Sequence, residues 1–91
     1  MAHVVVTMKI MPEEVDSDLN AIEAAATKLI TEFGGKVGKS DHEPVAFGLK
    51  AIKLMFVMNE NIGSTESLEE EIKKMGSVAS VDVIDVRRTI G

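Results

Sequence analysis

The apolar residues of this chain of 91 residues repeat with two different periods, and the order of those periods restricts the possible folds. Across residues 2–11 apolar side chains occupy every second position, which is the period of a β-strand, and Pro12 ends the pattern. Across residues 17–33 they recur every three or four positions, as on the buried face of a helix. Gly34 and Gly35 predict the end of that helix. The chain therefore opens with a strand followed by a helix.

The middle of the chain contains a long extended segment. We expect a weak strand over residues 36–41, a turn over residues 41–44 and a long strand over residues 45–58. The apolar alternation of this long strand changes phase part of the way along, which predicts a β-bulge near residues 48–51. A straight strand of that length would span ~46 Å, whereas a globule of this size is only ~30 Å across. The strand must therefore bend or project.

The last third of the chain supplies one more helix and one more strand. A turn over residues 59–64 precedes a helix over about residues 65–75, and a strand follows over residues 78–86. The complete order is β-α-β-β-α-β, and right-handed crossovers place both helices on one face of the sheet. We therefore predict an α+β, ferredoxin-like sandwich with a four-stranded antiparallel sheet in the order 4-1-3-2, as one domain over residues 1–91.

Composition excludes several classes of protein. There is no cysteine, so disulfides, zinc–thiolate sites and thiol catalysis are ruled out. No apolar run approaches the ~18 residues that span a bilayer, and the start does not resemble a signal peptide, so we expect a cytoplasmic protein. The net charge of −5 and the presence of only three aromatic residues argue against direct binding of nucleic acid or a membrane surface.

No constellation of residues points to catalysis or to a bound metal. The two histidines, His3 and His42, lack the spacing of a helical metal site. The segment GGKVGK at residues 34–39 enters a strand, so it lacks the helix N-terminus of a phosphate-binding loop. Asp82 and Asp85 fall on opposite faces of their strand, which is poor for shared acid–base work. We predict no enzymatic activity, no cofactor and no metal.

Charge is unevenly distributed along the chain. The regions before residue 36 and after residue 59 are acidic, whereas residues 36–59 carry a net positive charge and the last five residues hold two arginines and no acid. One interpretation is an ordinary solvated surface. The other is a pair of basic contact points on an acidic body.

Two segments carry a resemblance to a known family. Residues 43–52, EPVAFGLKAI, resemble a segment of the archaeal elongation factor 1-beta family, and residues 85–88, DVRR, resemble its closing motif. The opening strand followed by MPE at residues 11–13 also fits. The resemblance extends over essentially the whole chain, and it is the combination of the two segments that makes it specific.

The resemblance implies guanine-nucleotide exchange on the GTPase elongation factor 1-alpha, so that GTP replaces GDP and aminoacyl-tRNA is delivered again. It implies that the chain end enters the magnesium-binding region of that GTPase, with Arg87 or Arg88 near the place of the cation. Ungapped alignment favours Arg88. It also implies that Phe47, Gly48 and Lys50 belong to a second contact with the partner.

The assumed strand order separates these two sites. Strands three and four run parallel on either side of strand one, so Phe47 and the two arginines should lie toward opposite ends of the sheet, roughly 30 Å apart. Simpler alternatives are core packing of Phe47, a role of Gly48 only in the bulge, and a solvated terminus for both arginines. Deletion of residues 87–91 should abolish exchange and leave the thermal midpoint nearly unchanged.

Two other functions remain open at the level of sequence. A small-ligand regulatory domain of the same fold would dimerise edge to edge. An RNA-binding module is favoured only by the positive charge of residues 36–53, and it would bind RNA with a steep dependence on salt. For the exchange factor we expect a monomer whose partner is elongation factor 1-alpha.

Overall fold

The computed structural model describes residues 2–90, which form a four-stranded antiparallel sheet and two helices. The elements are β1 (Ala2–Pro12), α1 (Leu19–Phe33), β2 (Lys36–Pro44), β3 (Lys50–Asn59), α2 (Glu66–Lys73) and β4 (Val78–Ile90), with 3₁₀ turns at Ala46–Gly48 and Glu60–Ile62. The sheet order is β2-β3-β1-β4, and every neighbouring pair is antiparallel. This confirms the predicted α+β, ferredoxin-like fold with its strand order 4-1-3-2.

The core lies between one face of the sheet and the two helices. Across the two central strands, Val6 pairs with Phe56 and Met8 pairs with Leu54, and all four side chains are buried. The helices bury Ile22, Ala26, Ile30, Leu68 and Ile72 against them. Each fully buried large aliphatic side chain stabilises the fold by about 1.5–3 kcal/mol before entropy is counted. The apolar positions that were predicted to be buried on the first strand and on the two helices are those that form this core.

Both helices begin later than the sequence pattern indicates. The Asp18 carboxylate accepts a hydrogen bond from the backbone N–H of Ala21 at 3.1 Å, so α1 starts at Leu19 and not at residue 17. It ends at Gly34, whose left-handed φ of 111° lets its N–H bond to the carbonyls of Ile30 and Thr31. The second helix covers Glu66–Lys73, within the predicted residues 65–75.

The prediction for residues 41–58 is wrong in its first half. β2 continues through residues 41–44, and Asp41 pairs with Lys53 of β3. The chain reverses at residues 45–49, where the N–H of Val45 donates to the carbonyl of Leu49 at 2.8 Å. The change of apolar phase therefore marks the turn of a β-hairpin, and there is no bulge within residues 48–51. Two turn residues with positive φ, Phe47 and Gly48, reverse the chain.

The C-terminal residues form part of the sheet and are not a separate tail. β4 continues past the predicted end at residue 86, because β1 starts at Ala2 and provides partners for it, including Val4 for Arg88 and His3 for Thr89. The Thr89 hydroxyl also donates to the His3 carbonyl at 3.3 Å. Gly91, the last residue of the predicted tail, lies outside the described residues.

Candidate functional site

The tip of the β2–β3 hairpin presents a phenylalanine to solvent. Phe47 has φ 59° and ψ 31°, a left-handed conformation that non-glycine residues rarely adopt. Its side chain is 93% exposed, so the alternative of core packing is wrong. An exposed aromatic ring on a strained backbone is a feature of contact surfaces, because only burial by a partner recovers the hydrophobic free energy.

The neighbours of Phe47 shape the tip. Gly48 has φ 77°, and a Cβ at this position would lie 3.7 Å from Cγ1 of Val15, in the loop between β1 and α1. Gly48 therefore serves the turn through its positive φ, and not the predicted bulge. Lys50 is the exposed first residue of β3 and pairs with Pro44. Phe47, Gly48 and Lys50 thus lie together at one end of the molecule.

The two arginines lie at the end of β4, on opposite faces of the sheet. Arg87 pairs with Val5 and faces away from the helices, and its Nε lies 3.0 Å from Oδ2 of Asp85. Arg88 pairs with Val4 and points to the helical side of the sheet. Because neighbouring residues of a strand point in opposite directions, the two guanidinium groups do not form one cationic site.

Arg88 is held by a carboxylate that sequence analysis did not single out. Its Nε lies 2.8 Å from Oε2 of Glu60, and its Nη2 lies 3.2 Å from Oε1, which is a two-point ion pair. Glu60 opens the 3₁₀ turn after β3 and follows the capping residue Asn59. The pairing depends on β4 extending to Arg88, so no local signal in the sequence predicts it.

The sheet separates the hairpin tip from the arginines. Arg88 neighbours Val4, which in turn pairs with Met58 near the end of β3, whereas Phe47 precedes the start of β3 at Lys50. At about 3.3 Å per residue, Lys50 and Met58 lie ~26 Å apart along β3. The long axis of the molecule measures 42 Å, which leaves room for this separation. The predicted placement at opposite ends agrees with the register.

The two faces of the sheet also differ in charge. The helical side carries most of the acids, including Glu66, Glu69, Glu70 and Glu71 of α2. The opposite face carries both signs in ion pairs, with Lys53 3.2 Å from Glu43 and Lys39 3.8 Å from Asp41. The structure therefore has an acidic helical layer, as the distribution of charge along the sequence suggested.

One polar cluster on the helical side combines a serine, a histidine and a glutamate. His42 Nε2 lies 2.6 Å from Oε1 of Glu23, and the Ser40 hydroxyl donates to Oε2 of the same carboxylate at 3.1 Å. The hydroxyl thus bonds the carboxylate and not the imidazole, so the histidine is not placed to take its proton. The cluster joins α1 to β2.

Within residues 2–90 no group of three histidine, cysteine, aspartate or glutamate side chains is arranged to hold a metal ion. No helix in the same residues is both long and apolar enough to cross a membrane. The exposed candidates on the described surface are therefore Phe47 at the hairpin tip and the two arginines at the end of β4, each paired with a carboxylate.

Comparison with known proteins places the chain in a family. The EF-1 guanine nucleotide exchange domain matches residues 5–89. Elongation factor 1-beta of Methanobrevibacter smithii is 46% identical over 97% of this chain and 98% of its own length. The protein of the same name from Methanothermobacter thermautotrophicus is 42% identical over 97% of this chain and 98% of its own length.

A comparison of structures supports the fold alone. The ACT domain from the GTP pyrophosphokinase of Chlorobium tepidum superposes with a TM-score of 0.60 over 88% of this chain and 96% of that domain, at 17% sequence identity. An identity this low shows shared architecture, because unrelated functions use the ferredoxin-like fold. The sequence matches carry the functional assignment: this chain belongs to the family of EF-1 guanine nucleotide exchange domains and serves nucleotide exchange in translation elongation.

Proposed function

We propose that the partner of this chain is the GTPase elongation factor 1-alpha, from which it promotes release of GDP so that GTP can bind. Membership of the exchange family supports this partner. The single structural observation that favours it is the exposure of Phe47 and of Arg87 and Arg88 at opposite ends of one sheet. A rigid body with two distant contacts is suited to moving one part of a partner relative to another.

The cationic end is proposed to act beside the nucleotide phosphates. GTPases hold GDP through backbone and lysine donors and through a magnesium ion that bridges to the phosphates. A guanidinium group cannot replace the coordination of that ion, but it can supply part of its positive charge while the nucleotide leaves. To weaken GDP binding ~10³-fold, the factor must bind the GDP-free form better than the GDP form by ~4 kcal/mol.

Arg88 is the residue that we assign to this contact, with Arg87 in a supporting role. It lies at the exposed end of an edge strand, and the ladder between β4 and β1 holds its backbone in place. The end of β4 therefore acts as a rigid projection and not as a flexible tail. Before its guanidinium group can reach a phosphate, Arg88 must leave Glu60, and an exposed ion pair of this kind costs less than about 1 kcal/mol to break.

The apolar end is proposed to anchor the factor on a second part of the GTPase. Phe47 would be buried there, while Gly48 sets the turn and Lys50 contributes charge at the margin. Burial of a phenylalanine ring recovers about 1.5–3 kcal/mol, enough to hold one end while the other acts. We propose that the chain works in the cytoplasm as a monomeric, single exchange domain and contacts neither nucleic acid nor membrane directly.

The test is the release of fluorescent GDP from purified elongation factor 1-alpha, followed with and without this protein. We expect strong acceleration by the unchanged chain, a loss of about tenfold or more for Arg88→Ala, and a smaller loss for Arg87→Ala. Circular dichroism of each variant checks that the fold is retained. Absence of any acceleration at micromolar concentration would refute the proposed partner, and full activity of Arg88→Ala would refute the role of that arginine. Sedimentation equilibrium tests the monomer.

A further inference from the structure

Two large apolar side chains stand out by their exposure. Among the residues that the structure describes, Phe47 is 93% exposed and Val15 is 66% exposed, more than any other large apolar side chain. Phe47 belongs to the β2–β3 hairpin, and Val15 belongs to the loop between β1 and α1. Exposed apolar residues are ordinary when they are scattered, but two on separate elements at one place indicate a contact surface.

The structure brings these two elements into contact. Cγ1 of Val15 lies 3.7 Å from the point where a Cβ on Gly48 would stand, so the valine packs over the glycine that follows Phe47. Glycine is favoured at position 48 by its positive φ, whereas a Cβ there would meet Val15 at an ordinary van der Waals distance.

The loop that carries Val15 is held in place by hydrogen bonds. The N–H of Glu13 donates to the carbonyl of Ser77 at 2.9 Å, which ties the loop to the segment before β4. The N–H of Glu14 donates to the Ser17 hydroxyl at 3.2 Å, and the N–H of Ser17 donates to the Glu14 carbonyl at 3.2 Å. Val15 is thus presented to solvent from an ordered turn.

The charge around Val15 specifies what this surface fits. Its sequence neighbours Glu14 and Asp16 are exposed, and Glu13 precedes them. On the other side of Phe47, Lys50 is exposed. An apolar surface with three carboxylates along one edge complements an apolar pocket that has basic side chains along the matching edge.

We propose that Val15 and Phe47 form one apolar docking surface that fills a single pocket of the GTPase, with basic residues of that pocket facing Glu13, Glu14 and Asp16. The inference rests on the proposed function and adds Val15, together with the character of the partner's pocket, to it. A central apolar anchor surrounded by polar residues is the usual anatomy of an energetically important contact. The acidic margin steers association, and Val15 increases the area that Phe47 alone would bury.

The first experiment measures GDP release as a function of factor concentration for Val15→Ser, Phe47→Ala and the double variant. We expect Val15→Ser to raise the half-saturating concentration about fivefold with the maximal rate unchanged, and Phe47→Ala to raise it more. The half-saturating concentration of the double variant should exceed that of Phe47→Ala by less than twofold, because the two side chains share one pocket. The matched control is Val57→Ser, at an exposed valine on the face of the sheet that the helices do not cover. We expect it to change the half-saturating concentration by less than twofold.

The second experiment tests the basic margin of the pocket. Glu14→Gln combined with Asp16→Asn should raise the half-saturating concentration at low salt and flatten its dependence on salt, whereas the control pair Glu70→Gln and Glu71→Gln on α2 should leave the slope unchanged. If Val15→Ser raised the half-saturating concentration no more than Val57→Ser does, the shared surface would be wrong. It would also be wrong if the effects of Val15→Ser and Phe47→Ala multiplied in the double variant. If the unchanged protein accelerates nothing, the proposed function itself fails and this inference fails with it.

Discussion

At the scale of single residues, backbone strain and side-chain exposure coincide at the hairpin tip. Phe47 combines a left-handed backbone, which costs a non-glycine residue about 1–2 kcal/mol, with a side chain that gains nothing from the fold because it is 93% exposed. The hydrogen bonds of the turn, from the N–H of Val45 to the carbonyl of Leu49 and from the N–H of Leu49 to the carbonyl of Ala46, hold this conformation. Exposure and strain together make Phe47 a candidate contact, which is more informative than either property alone.

A substitution of Phe47 separates these two properties. Asparagine tolerates the left-handed region better than other non-glycine residues, so Phe47→Asn should raise the free energy of unfolding by up to about 1 kcal/mol while weakening exchange. Urea denaturation and GDP release measure the two effects. As a control, Phe33→Asn, at a partly buried aromatic residue of α1, should destabilise the protein. A less stable Phe47→Asn would show that the ring contributes to the fold.

At the scale of elements, the last strand decides how the arginines are held. Residues 87–90 pair with the first residues of β1, and the Arg88–Glu60 ion pair adds a contact to the turn after β3. These residues are polar or lie at an edge, so their sequence shows no apolar alternation that would predict a strand. They pair because β1 is long enough to reach them, although β1 lies more than eighty residues away in the chain.

The structure therefore changes the expected result of truncation. Deletion of residues 87–91 removes the pairs from Ala2↔Ile90 to Val5↔Arg87, so we expect the thermal midpoint to fall by ~5 °C or more as exchange is lost. The earlier expectation of an unchanged midpoint assumed a tail outside the sheet. The full-length variant Arg87→Gln/Arg88→Gln keeps the backbone ladder and should melt close to the unchanged protein. Calorimetry measures both midpoints, and an unaltered midpoint after truncation would contradict the pairing.

At the scale of the whole molecule, the sheet separates the two proposed contacts. Its register places the hairpin tip before Lys50 and Arg88 level with Met58, two positions of β3 that lie about 26 Å apart. Side chains at that distance share no neighbours, so in the proposed complex we expect each to contribute to partner binding independently.

Independence of the ends has a measurable consequence. Arg88→Ala and Phe47→Ala should have multiplicative effects on the second-order rate constant of GDP release, within about twofold, because substitutions more than 7–10 Å apart normally add in free energy. This contrasts with Val15 and Phe47, whose effects should not multiply. A strong deviation for the distant pair would mean that the partner couples the two contacts.

The sequence by itself determined the order of the elements, the buried phase of β1, the absence of cysteine chemistry and the family resemblance, because periodicity and local composition are visible within short windows. It did not separate a bulge from a turn at residues 45–49, since both change the apolar phase, and only pairing with β2 distinguishes them. Tertiary structure alone decided that Phe47 is exposed, that Val15 packs beside Gly48 and that Glu60 holds Arg88. Each of these depends on contacts between residues far apart in the chain, which no local pattern encodes.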